Sequence, residues 1–348
     1  MSVAIVTGSS GLVGSETVKF LIDKNYSVIG IDNDSRKYFF GTSTNEVKDF
    51  LIKEFKQFTH HNIDIRDYES LKNLFQQLRN DIKLIVHSAA QPSHDWAIKE
   101  PLTDFTINAN GTLNLLELTN QYCPSATFIQ VSTNKVYGDT PNRLPLEELN
   151  TRYEIQNNHN YYKGIDENMS IDNSTHSLFG VSKCAGDLLA QEYGKNLGLN
   201  VGIFRGGCIT GPNHAGAELH GFLNYLVKAN IEEIKYTIYG YKGKQVRDNI
   251  HSYDLANCFW HFHQNPKKGE VYNMGGGRNN SCSILEAISI IEEITNKKMK
   301  FTVADTPRVG DHQWYISDVS KFKRDYPEWD FKYSLRETIK QIIKRYKK

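Results

Sequence analysis

Three glycines near the N-terminus have the spacing that a phosphate-binding turn needs. Gly8, Gly11 and Gly14 follow a short apolar, β-branched run and precede an amphipathic stretch. The first glycine permits a tight turn, the second lets the backbone approach a pyrophosphate at a helix N-terminus, and the third allows close helix–strand packing. The pattern predicts a dinucleotide site, and a glycine turn without a cofactor is the alternative.

An acidic residue at the end of the second predicted strand indicates which dinucleotide binds. Asp32 can accept hydrogen bonds from both hydroxyls of the adenosine ribose and would repel a 2′-phosphate, which favours NAD over NADP. Arg36 keeps NADP open, because an arginine can hold a 2′-phosphate. The predicted contacts in this part of the site are Gly8, Gly11, Leu12, Val13, Asp32, Asn33 and Arg36.

Two more strand ends carry candidate cofactor contacts. Asp64 and Ile65 follow the third strand, where the acid can accept from the adenine amino group and the isoleucine can back the ring. The alternative for Asp64 is a plain turn residue. Ser88, Ala89 and Ala90 follow the fourth strand, and their small side chains let a cofactor lie against the backbone, although they also suit ordinary packing.

The composition argues against several classes of protein. The 348 residues include 41 Lys+Arg and 40 Asp+Glu, a formal net charge of +1, so we expect no nucleic-acid partner and no polybasic membrane contact. Five widely spaced cysteines without a C-x-x-C motif predict neither a disulfide framework nor a zinc cluster, and we expect no metal. With no signal-peptide pattern and no apolar run of membrane-spanning length, we expect a cytoplasmic protein.

The order of the predicted elements indicates an α/β fold. Apolar runs predict strands at 3–7, 27–32, 58–63, 82–86, 127–131 and 200–204. Helical patterns fall at 12–23, 67–79, 103–120, 178–197, 217–229, 252–264, 283–295 and 333–346. This alternation predicts a parallel sheet with helices on both faces. Residues 137–175 are polar and aperiodic, and a long segment of that kind in a compact domain is usually functional.

Five motifs together define a resemblance to a known family. They are G-S-S-G-L-V-G from Gly8, H-S-A-A from His87, N-A-N-G-T from Asn108, S-T-N-K-V-Y-G-D from Ser132 and R-D-N-I-H-S-Y-D from Arg247. Over essentially its whole length the chain resembles the extended short-chain dehydrogenase/reductase family, the NAD-dependent nucleotide-sugar epimerases and dehydratases.

The resemblance implies a Rossmann doubly wound parallel sheet with a smaller C-terminal α/β substrate lobe. The implied NAD-binding domain is 1–206 plus about 245–265, and the lobe is about 207–244 and 266–348. It also implies bound NAD with further contacts at Asn108, Val131 and Lys183, a nucleotide-sugar substrate, and a homodimer that pairs helices 103–120 and 178–197.

Finer features are similar to one subfamily, the CDP-sugar 2-epimerases that act on CDP-tyvelose or CDP-paratose. These features are S-T-N-K-V-Y-G-D, the Thr151-Arg152-Tyr153 segment and His176-Ser177. The family's dehydratases carry an Asp-Glu pair after the active-site threonine, whereas this chain has Asn134-Lys135, which disfavours dehydration. The resemblance thus implies epimerisation of a CDP-sugar by transient hydride transfer to NAD. Another NAD-dependent nucleotide-sugar dehydrogenase or decarboxylase is the alternative.

The implied chemistry needs a base that takes the proton of a sugar hydroxyl as hydride leaves. The family uses a tyrosine whose pKa is lowered by a lysine one helical turn later. Residue by residue, Thr133 matches the hydroxyl that positions the substrate, Lys183 matches the lysine, and Phe179 stands at the tyrosine position. Because phenylalanine has no exchangeable proton, the usual base is absent.

Three explanations of Phe179 stay open. Another residue can be the base: His176, His94, or one of Tyr153, Tyr161 and Tyr162. Alternatively, the chain is an engineered Tyr-to-Phe variant, or it binds NAD and a sugar nucleotide without turnover.

The remaining candidates are predicted to contact the substrate. Backbone at Gly207 can approach a ligand closely, and Lys244 and Arg247 can bind a pyrophosphate. Tyr239 can stack on a nucleotide base, with core packing as the alternative. The full predicted set is Gln91, His94, Thr133, Asn134, Gly207, Glu218, Tyr239, Lys244, Arg247 and Arg308.

Overall fold

The computed structural model describes residues 2–213, 221–307 and 310–347. The strands are β1 Val3–Thr7, β2 Ser27–Ile31, β3 Phe58–His61, β4 Ile82–His87, β5 Thr127–Thr133, β6 Leu146–Glu148, β7 Tyr153–Ile155, β8 Asn200–Gly206, β9 Cys208–Thr210, β10 Tyr236–Tyr239, β11 Val246–His251, β12 Glu270–Met274, β13 Ser281–Ser283, β14 Phe301–Ala304 and β15 Trp314–Tyr315. The helices are α1 Leu12–Asp23, α2 Ser35–Phe40, α3 Asn45–Glu54, α4 Tyr68–Leu78, α5 His94–Lys99, α6 Pro101–Phe105, α7 Gly111–Tyr122, α8 Leu178–Lys195, α9 Phe222–Ile231, α10 Ser252–Gln264, α11 Ile284–Thr295, α12 Ser320–Asp325 and α13 Leu335–Tyr346.

Seven strands form a sheet in the order β12-β8-β5-β4-β1-β2-β3. Strand β1 lies between two parallel neighbours, so that Val6 pairs with Gly30 of β2 and with Val86 of β4. Every residue of β1 is buried, as expected for a parallel strand covered on both faces. The strand order reverses between β1 and β4, and the carboxyl ends of strands at such a point form the usual ligand crevice of an α/β fold. The predicted Rossmann-type doubly wound sheet is confirmed.

The first of two compact units comprises residues 1–136, 178–205 and 255–272. Its apolar core joins buried side chains of the sheet, such as Ile5 and Ile85, to Phe75 of helix α4 and Leu115 of helix α7. The apolar periodicity of these helices therefore reflects real packing against the sheet.

The predicted helix 103–120 is interrupted by a change of helical type. Helices α6 and α7 are joined by a π-helical turn over Thr106–Asn110. Asn108 lies in that turn and is buried. A π turn inside an α-helix often marks a functional position, since it shifts the side chains that follow it.

The second unit comprises residues 137–177, 206–254 and 273–348. Strand β11 pairs with β9, β13 and β15, while β10 pairs with β14 and β6 with β7. Helices α9, α11 and α13 supply a separate apolar core, which includes Leu226, Ile291 and Ile339. Helices α11 and α13 each begin with a capping box, at Ser283 with Glu286 and at Ser334 with Glu337.

The two units divide the chain differently from the predicted boundaries. Residues 137–177 lie in the second unit because their bonds go there: Glu154 accepts two hydrogen bonds from Arg278, and Tyr137 donates to Asn273. Strand β11 also belongs to the second unit, because its partner strands lie there. In the described part of the chain, no helix has both the length and the apolar character to cross a membrane.

Candidate active site

The glycine turn between β1 and α1 packs against neighbouring backbone so closely that side chains at Gly8 and Gly14 would clash. Gly8 has a φ of +67°, and a Cβ there would lie 2.9 Å from the backbone of Ala89. A Cβ on Gly14 would lie 2.1 Å from the carbonyl oxygen of Gly8. Gly11 caps helix α1, whose first residues, Leu12 and Val13, are half-buried. The turn therefore presents a helix N-terminus to an approaching phosphate group.

The carboxylate of Asp32 closes this turn from the side of β2. Its Oδ2 accepts from the backbone N–H of Ser10 at 3.0 Å, and its Oδ1 accepts from the N–H of Asp34 at 2.9 Å. Each oxygen keeps a lone pair for a further donor. Asp32 is therefore fixed at the glycine turn and can still accept hydroxyl groups of a ribose.

A cavity of about 320 Å³ lies beside Asp32. Its lining combines the predicted Asp32 and Asn33 with residues that the sequence analysis did not identify: Ser10, Asp34, Thr44, Asn45, Lys48, His60 and Asn62. Lys48 adds a positively charged side chain to this cavity. The two predicted residues of the lining, Asp32 and Asn33, are an acid and an amide. Nothing in the sequence marks this lysine, because it lies on a mostly exposed helix without a motif.

The end of β3 carries Asp64 in a fixed position. Arg66 donates to both oxygens of Asp64, at 3.0 and 2.6 Å, and Asn33 donates to one of them at 3.1 Å. Burial alone would raise the pKa of Asp64, but the hydrogen bonds and charge of Arg66 outweigh it and lower the pKa. Ile65 is buried against Gly111, so packing explains its side chain. The predicted Arg36 lies over the ring of Phe40, 5.0 Å from its centroid.

The end of β4 is tied to β1 by a short chain of hydrogen bonds. The His87 imidazole bonds Thr7 through Nδ1 at 2.8 Å and Thr112 through Nε2 at 3.0 Å. Ser88 Oγ donates to the Thr7 carbonyl at 2.7 Å, and the Ala89 N–H donates to Thr7 Oγ1 at 3.1 Å. Burial, followed by the charge of Lys183, lowers the pKa of His87 to about 3. His87 is therefore a neutral structural residue that holds the crevice in shape.

A buried polar network joins the segment after β4 to helix α8. Gln91 N–H donates to Asn108 Oδ1 at 2.9 Å, and Asn108 Nδ2 donates to the Gln91 carbonyl at 3.0 Å and to Ser182 Oγ at 3.0 Å. Asp104 accepts from both amides, at 2.7 Å from Gln91 and 3.1 Å from Asn108. Gln91 is predicted to contact the substrate and Asn108 to contact the cofactor. In the structure both side-chain amides are bonded to the buried Asp104, and their predicted contacts with substrate and cofactor stay predictions.

Lys183 lies at the centre of the predicted catalytic group. Its Nζ donates to the carbonyl oxygen of Val131 at 3.0 Å, and the residue is 6% exposed. Burial lowers the pKa of Lys183 to about 8, against the opposing effect of Asp187 and Asp104. Strand β5 carries both Val131 and Thr133. The ammonium of Lys183 is therefore hydrogen-bonded to the same strand that carries the half-buried threonine hydroxyl.

Phe179 occupies the position one helical turn before Lys183 on α8. Its ring is 7% exposed and packs against the imidazole of His94, with 4.9 Å between ring centroids and an interplanar angle of 58°. His94 is the first residue of helix α5. The structure therefore brings together Phe179 and one of the predicted alternative bases.

Thr133 and the residue after it form a compact polar end to β5. Thr133 Oγ1 donates to Asn134 Oδ1 at 3.4 Å and accepts from the Lys135 N–H at 3.3 Å. These bonds are long enough for a substrate oxygen to replace one of them.

In the second unit, the two predicted phosphate-binding cations already have protein partners. Arg247 forms an ion pair with Asp311 and donates to the Val246 carbonyl at 2.6 Å. Lys244 donates to Glu148 Oε1 and to the Leu149 carbonyl, both at 2.8 Å. Hydrogen bonds from Lys244 and then Lys242 lower the pKa of Glu148 to about 2.

Three other predicted residues of the second unit have contacts of their own. Gly207 faces the buried Asp248, whose Oδ1 would be 2.6 Å from a Cβ at this glycine. Tyr239 is half-buried at the end of β10, and its carbonyl accepts from Gln245. His176 Nδ1 bonds the Ser174 carbonyl at 3.1 Å. Glu218 and Arg308 lie outside the described residues.

Each of the three tyrosines proposed as alternative bases packs against a different residue. Tyr153 is buried and lies edge-on to Tyr241, with 6.5 Å between ring centroids. Tyr161 packs near His159, and burial raises its pKa. Tyr162 lies under the guanidinium of Arg278, 4.0 Å from the ring centroid.

The parallel sheet with a glycine turn after its first strand is typical of dinucleotide-binding proteins. Comparison with known proteins identifies the family. Residues 4–275 match the NAD dependent epimerase/dehydratase family, and the chain belongs to that family. The predicted family and the predicted NAD cofactor are both confirmed. The glycine turn, the fixed Asp32 and the buried Lys183 are residues that fit NAD.

The chain is similar to particular proteins of this family. The chain is similar to the CDP-paratose 2-epimerase of Salmonella typhi, with 32% identity over 346 residues that cover 97% of each protein. It is also similar to a putative UDP-glucose 4-epimerase of Methanocaldococcus jannaschii, with 27% identity over 97% of this chain and 96% of that one. Among solved structures, a tyrosine-to-phenylalanine mutant of UDP-glucuronic acid 4-epimerase from Bacillus cereus has a TM-score of 0.80, with 24% identity and 99% of each chain covered.

Proposed function

We propose that the protein is an NAD-dependent epimerase of a nucleotide-diphosphate sugar, that a CDP-sugar is its substrate, and that it inverts carbon 2 of the sugar. The observation that carries the choice of substrate is the 32% identity to CDP-paratose 2-epimerase, sustained over 97% of both proteins. The finer motifs of the sequence favour the same substrate.

The residues around Lys183 support the proposed chemistry. When bound, NAD supplies an acceptor for the hydride that leaves the sugar and returns it to the opposite face. Lys183 would hold the ribose next to the nicotinamide, and Thr133 would hold the reacting sugar oxygen by a hydrogen bond. The positive charge of the buried lysine would also stabilise an oxygen that is losing its proton.

Dehydration has less support. Elimination needs an acid and a base beside the threonine. Here Thr133 is followed by a buried amide, Asn134, and then by a lysine. Neither residue is a carboxylic acid that can exchange a proton near neutral pH.

Arg247 remains the proposed contact for the substrate pyrophosphate. A guanidinium has five N–H donors, so Arg247 can keep Asp311 and the Val246 carbonyl while it binds phosphate oxygens. Lys244 has three donors, and Glu148 and Leu149 already take two of them. We propose Gly207, Tyr239, Glu218 and Arg308 as the remaining contacts of the nucleotide and sugar.

The second candidate function is binding of NAD and a sugar nucleotide without turnover. The specific observation in its favour is Phe179, since the residue at this position cannot take a proton. A chain of this kind would keep Asp32 and Lys183 for cofactor binding alone.

We further propose that the protein is a cytoplasmic homodimer. Several large apolar side chains on helices α6 and α8 are exposed: Leu102, Phe105, Leu178, Val181 and Leu188. An exposed apolar surface on two helices of one unit supports the proposed four-helix interface with a second copy.

The test is incubation of the purified protein and NAD with CDP-, UDP- and GDP-sugars, with the products followed by NMR. The proposal expects a C2 epimer from a CDP-sugar and slower or no conversion of the other two classes. Tight binding of NAD and CDP-sugar without any product would favour the second candidate. Release of water to a deoxy keto sugar would overturn the epimerase assignment.

A further inference from the structure

We propose that His94 is the base that takes the proton from the reacting sugar hydroxyl, in place of the tyrosine that Phe179 replaces. This inference rests on the proposed epimerase function. It assigns the missing proton acceptor to one residue among the five alternatives that the sequence left open.

The first support is the packing of the two rings. The imidazole of His94 and the ring of Phe179 lie side by side, with centroids 4.9 Å apart. His94 is thus an ionisable residue in direct contact with the side chain at position 179. To act as the base, the imidazole must reach a sugar oxygen that Thr133 holds.

The second support is the way the backbone of His94 is held. Ser93 caps helix α5 by accepting from the Trp96 N–H, and the Ser93 N–H donates to Gln91 Oε1 at 2.6 Å. Gln91 is bound to Asn108, which donates to Ser182 on helix α8. The same hydrogen-bond network thus connects the segment carrying His94 to the helix carrying Phe179 and Lys183. A base needs this kind of fixed placement relative to the lysine.

The third support is that the neighbouring ionisable groups have other roles. Both nitrogens of His87 are hydrogen-bonded, and burial keeps its ring neutral. Asp104 is buried between Gln91 and Asn108, and Asp187 is paired with Arg205 at 2.9 Å. Lys183 is bonded to the Val131 carbonyl. The other charged residues of α5 and α6 are Asp95 and Lys99.

The proton and electron balance is simple. The C–H bond at the reacting carbon breaks, and its electron pair leaves with the hydrogen for NAD. The O–H bond breaks in the same step, its proton passes to an imidazole nitrogen of His94, and a C=O bond forms. In the return step the hydrogen and its electron pair add to the opposite face of the carbonyl carbon, and the imidazolium gives its proton back to the oxygen. No further oxidant or reductant is required.

The test compares His94→Gln, Phe179→Tyr and the double variant with the wild-type protein, using NAD and the best CDP-sugar. We expect His94→Gln to lower kcat by about 100-fold or more, with KM and NAD affinity within about threefold. We expect the double variant to regain at least about tenfold of that loss, because a tyrosine one turn before Lys183 restores the usual base. His261→Asn, a half-buried histidine of helix α10 outside the site, is the matched control.

Two readouts separate a base from a structural residue. External imidazole should restore part of the activity of His94→Gly, and a purely structural role would give no such rescue. In the wild-type protein with ¹⁵N-labelled histidine and bound NAD, the His94 ring resonances should move on addition of the CDP-sugar but not of CDP alone. Unmoved resonances would overturn the inference even if the variants proved unstable.

The outcomes for the base and for the enzyme are distinguishable. A wild-type protein that epimerises a CDP-sugar, with His94→Gln within about threefold of it, overturns the role of His94 and leaves the proposed function intact. A wild-type protein that converts no nucleotide sugar overturns the proposed function and the base together.

Discussion

The ammonium of Lys183 donates to the carbonyl oxygen of Val131 at 3.0 Å, so helix α8 and strand β5 are joined at the centre of the candidate active site. The lysine is almost fully buried. Burial disfavours the charged ammonium and outweighs the opposing charges of Asp187 and Asp104, so the pKa of Lys183 is lowered to about 8.

This burial predicts a pH dependence of stability. The pKa of Lys183 is lowered from 10.5 to about 8 on folding, so between these values the unfolded chain binds more protons than the folded one. The free energy of unfolding should therefore rise with pH across that window, by about 2 kcal/mol or more up to about pH 10. Urea unfolding of the wild type and of Lys183→Met, as a function of pH, isolates the contribution of this lysine. Parallel curves for the two proteins would show that folding does not perturb its pKa.

Asp32 should control the choice of dinucleotide. In Asp32→Asn the side chain keeps its shape but loses the charge that accepts ribose hydroxyls and repels a 2′-phosphate. We expect NAD affinity to fall by about tenfold or more and the preference for NAD over NADP to shrink. Calorimetric titration with both dinucleotides measures this, with Asp67→Asn, at the exposed cap of helix α4, as the control. Unchanged NAD affinity would remove Asp32 from the ribose site.

Substitutions at two glycines of the turn should have different effects, one on the stability of the fold and the other on NAD binding. A Cβ at position 14 would meet the Gly8 carbonyl oxygen at 2.1 Å, whereas the nearest atom to a Cβ at position 11 is 3.3 Å away. Gly14→Ala should therefore destabilise the fold by about 1–3 kcal/mol. Gly11→Ala should cost less than about 1 kcal/mol but weaken NAD binding about tenfold, because the methyl group occupies the approach of the pyrophosphate. Thermal unfolding and NAD titration of both variants test the distinction, and equal destabilisation would contradict it.

The proposed dimer should dissociate when a charged side chain is introduced into its interface. Leu102 is 81% exposed and Val181 is 46% exposed, on helices α6 and α8. Replacing either with glutamate should convert a dimer into a monomer in light scattering, because a buried carboxylate would lack a partner. Val303→Glu is a matched control, since Val303 is also 46% exposed but lies on β14. A wild-type monomer would overturn the proposed interface.

The sheet and its cofactor turn could be predicted because each signal is local. Continuous apolar runs such as Val3–Thr7 are typical of parallel strands that are buried on both faces. Glycines at positions 8, 11 and 14 act through their own backbone, so their spacing alone indicates the turn. By contrast, helix α3 was missed because it buries only Leu51 and therefore lacks an apolar stripe. The π turn at 106–110 was missed because apolar periodicity does not resolve one shifted residue.

The ion pairs of the second unit could not be predicted, because the partners are distant in sequence. Arg247 meets Asp311, Lys244 meets Glu148, and nothing in the spacing of these residues identifies the pairs. The contact of His94 with Phe179 is of the same kind. Both residues could be named from the sequence, but only the packing of helix α5 on helix α8 shows that their rings touch.

In the proposed reaction the sugar is inverted by removal and return of the same hydride. The most direct measurement uses a CDP-sugar that carries deuterium at carbon 2, incubated with the protein and NAD in ordinary water. We expect the C2 epimer with its deuterium retained at carbon 2. An epimer that has exchanged its deuterium for solvent hydrogen, or a CDP-sugar recovered without any epimer, would contradict it.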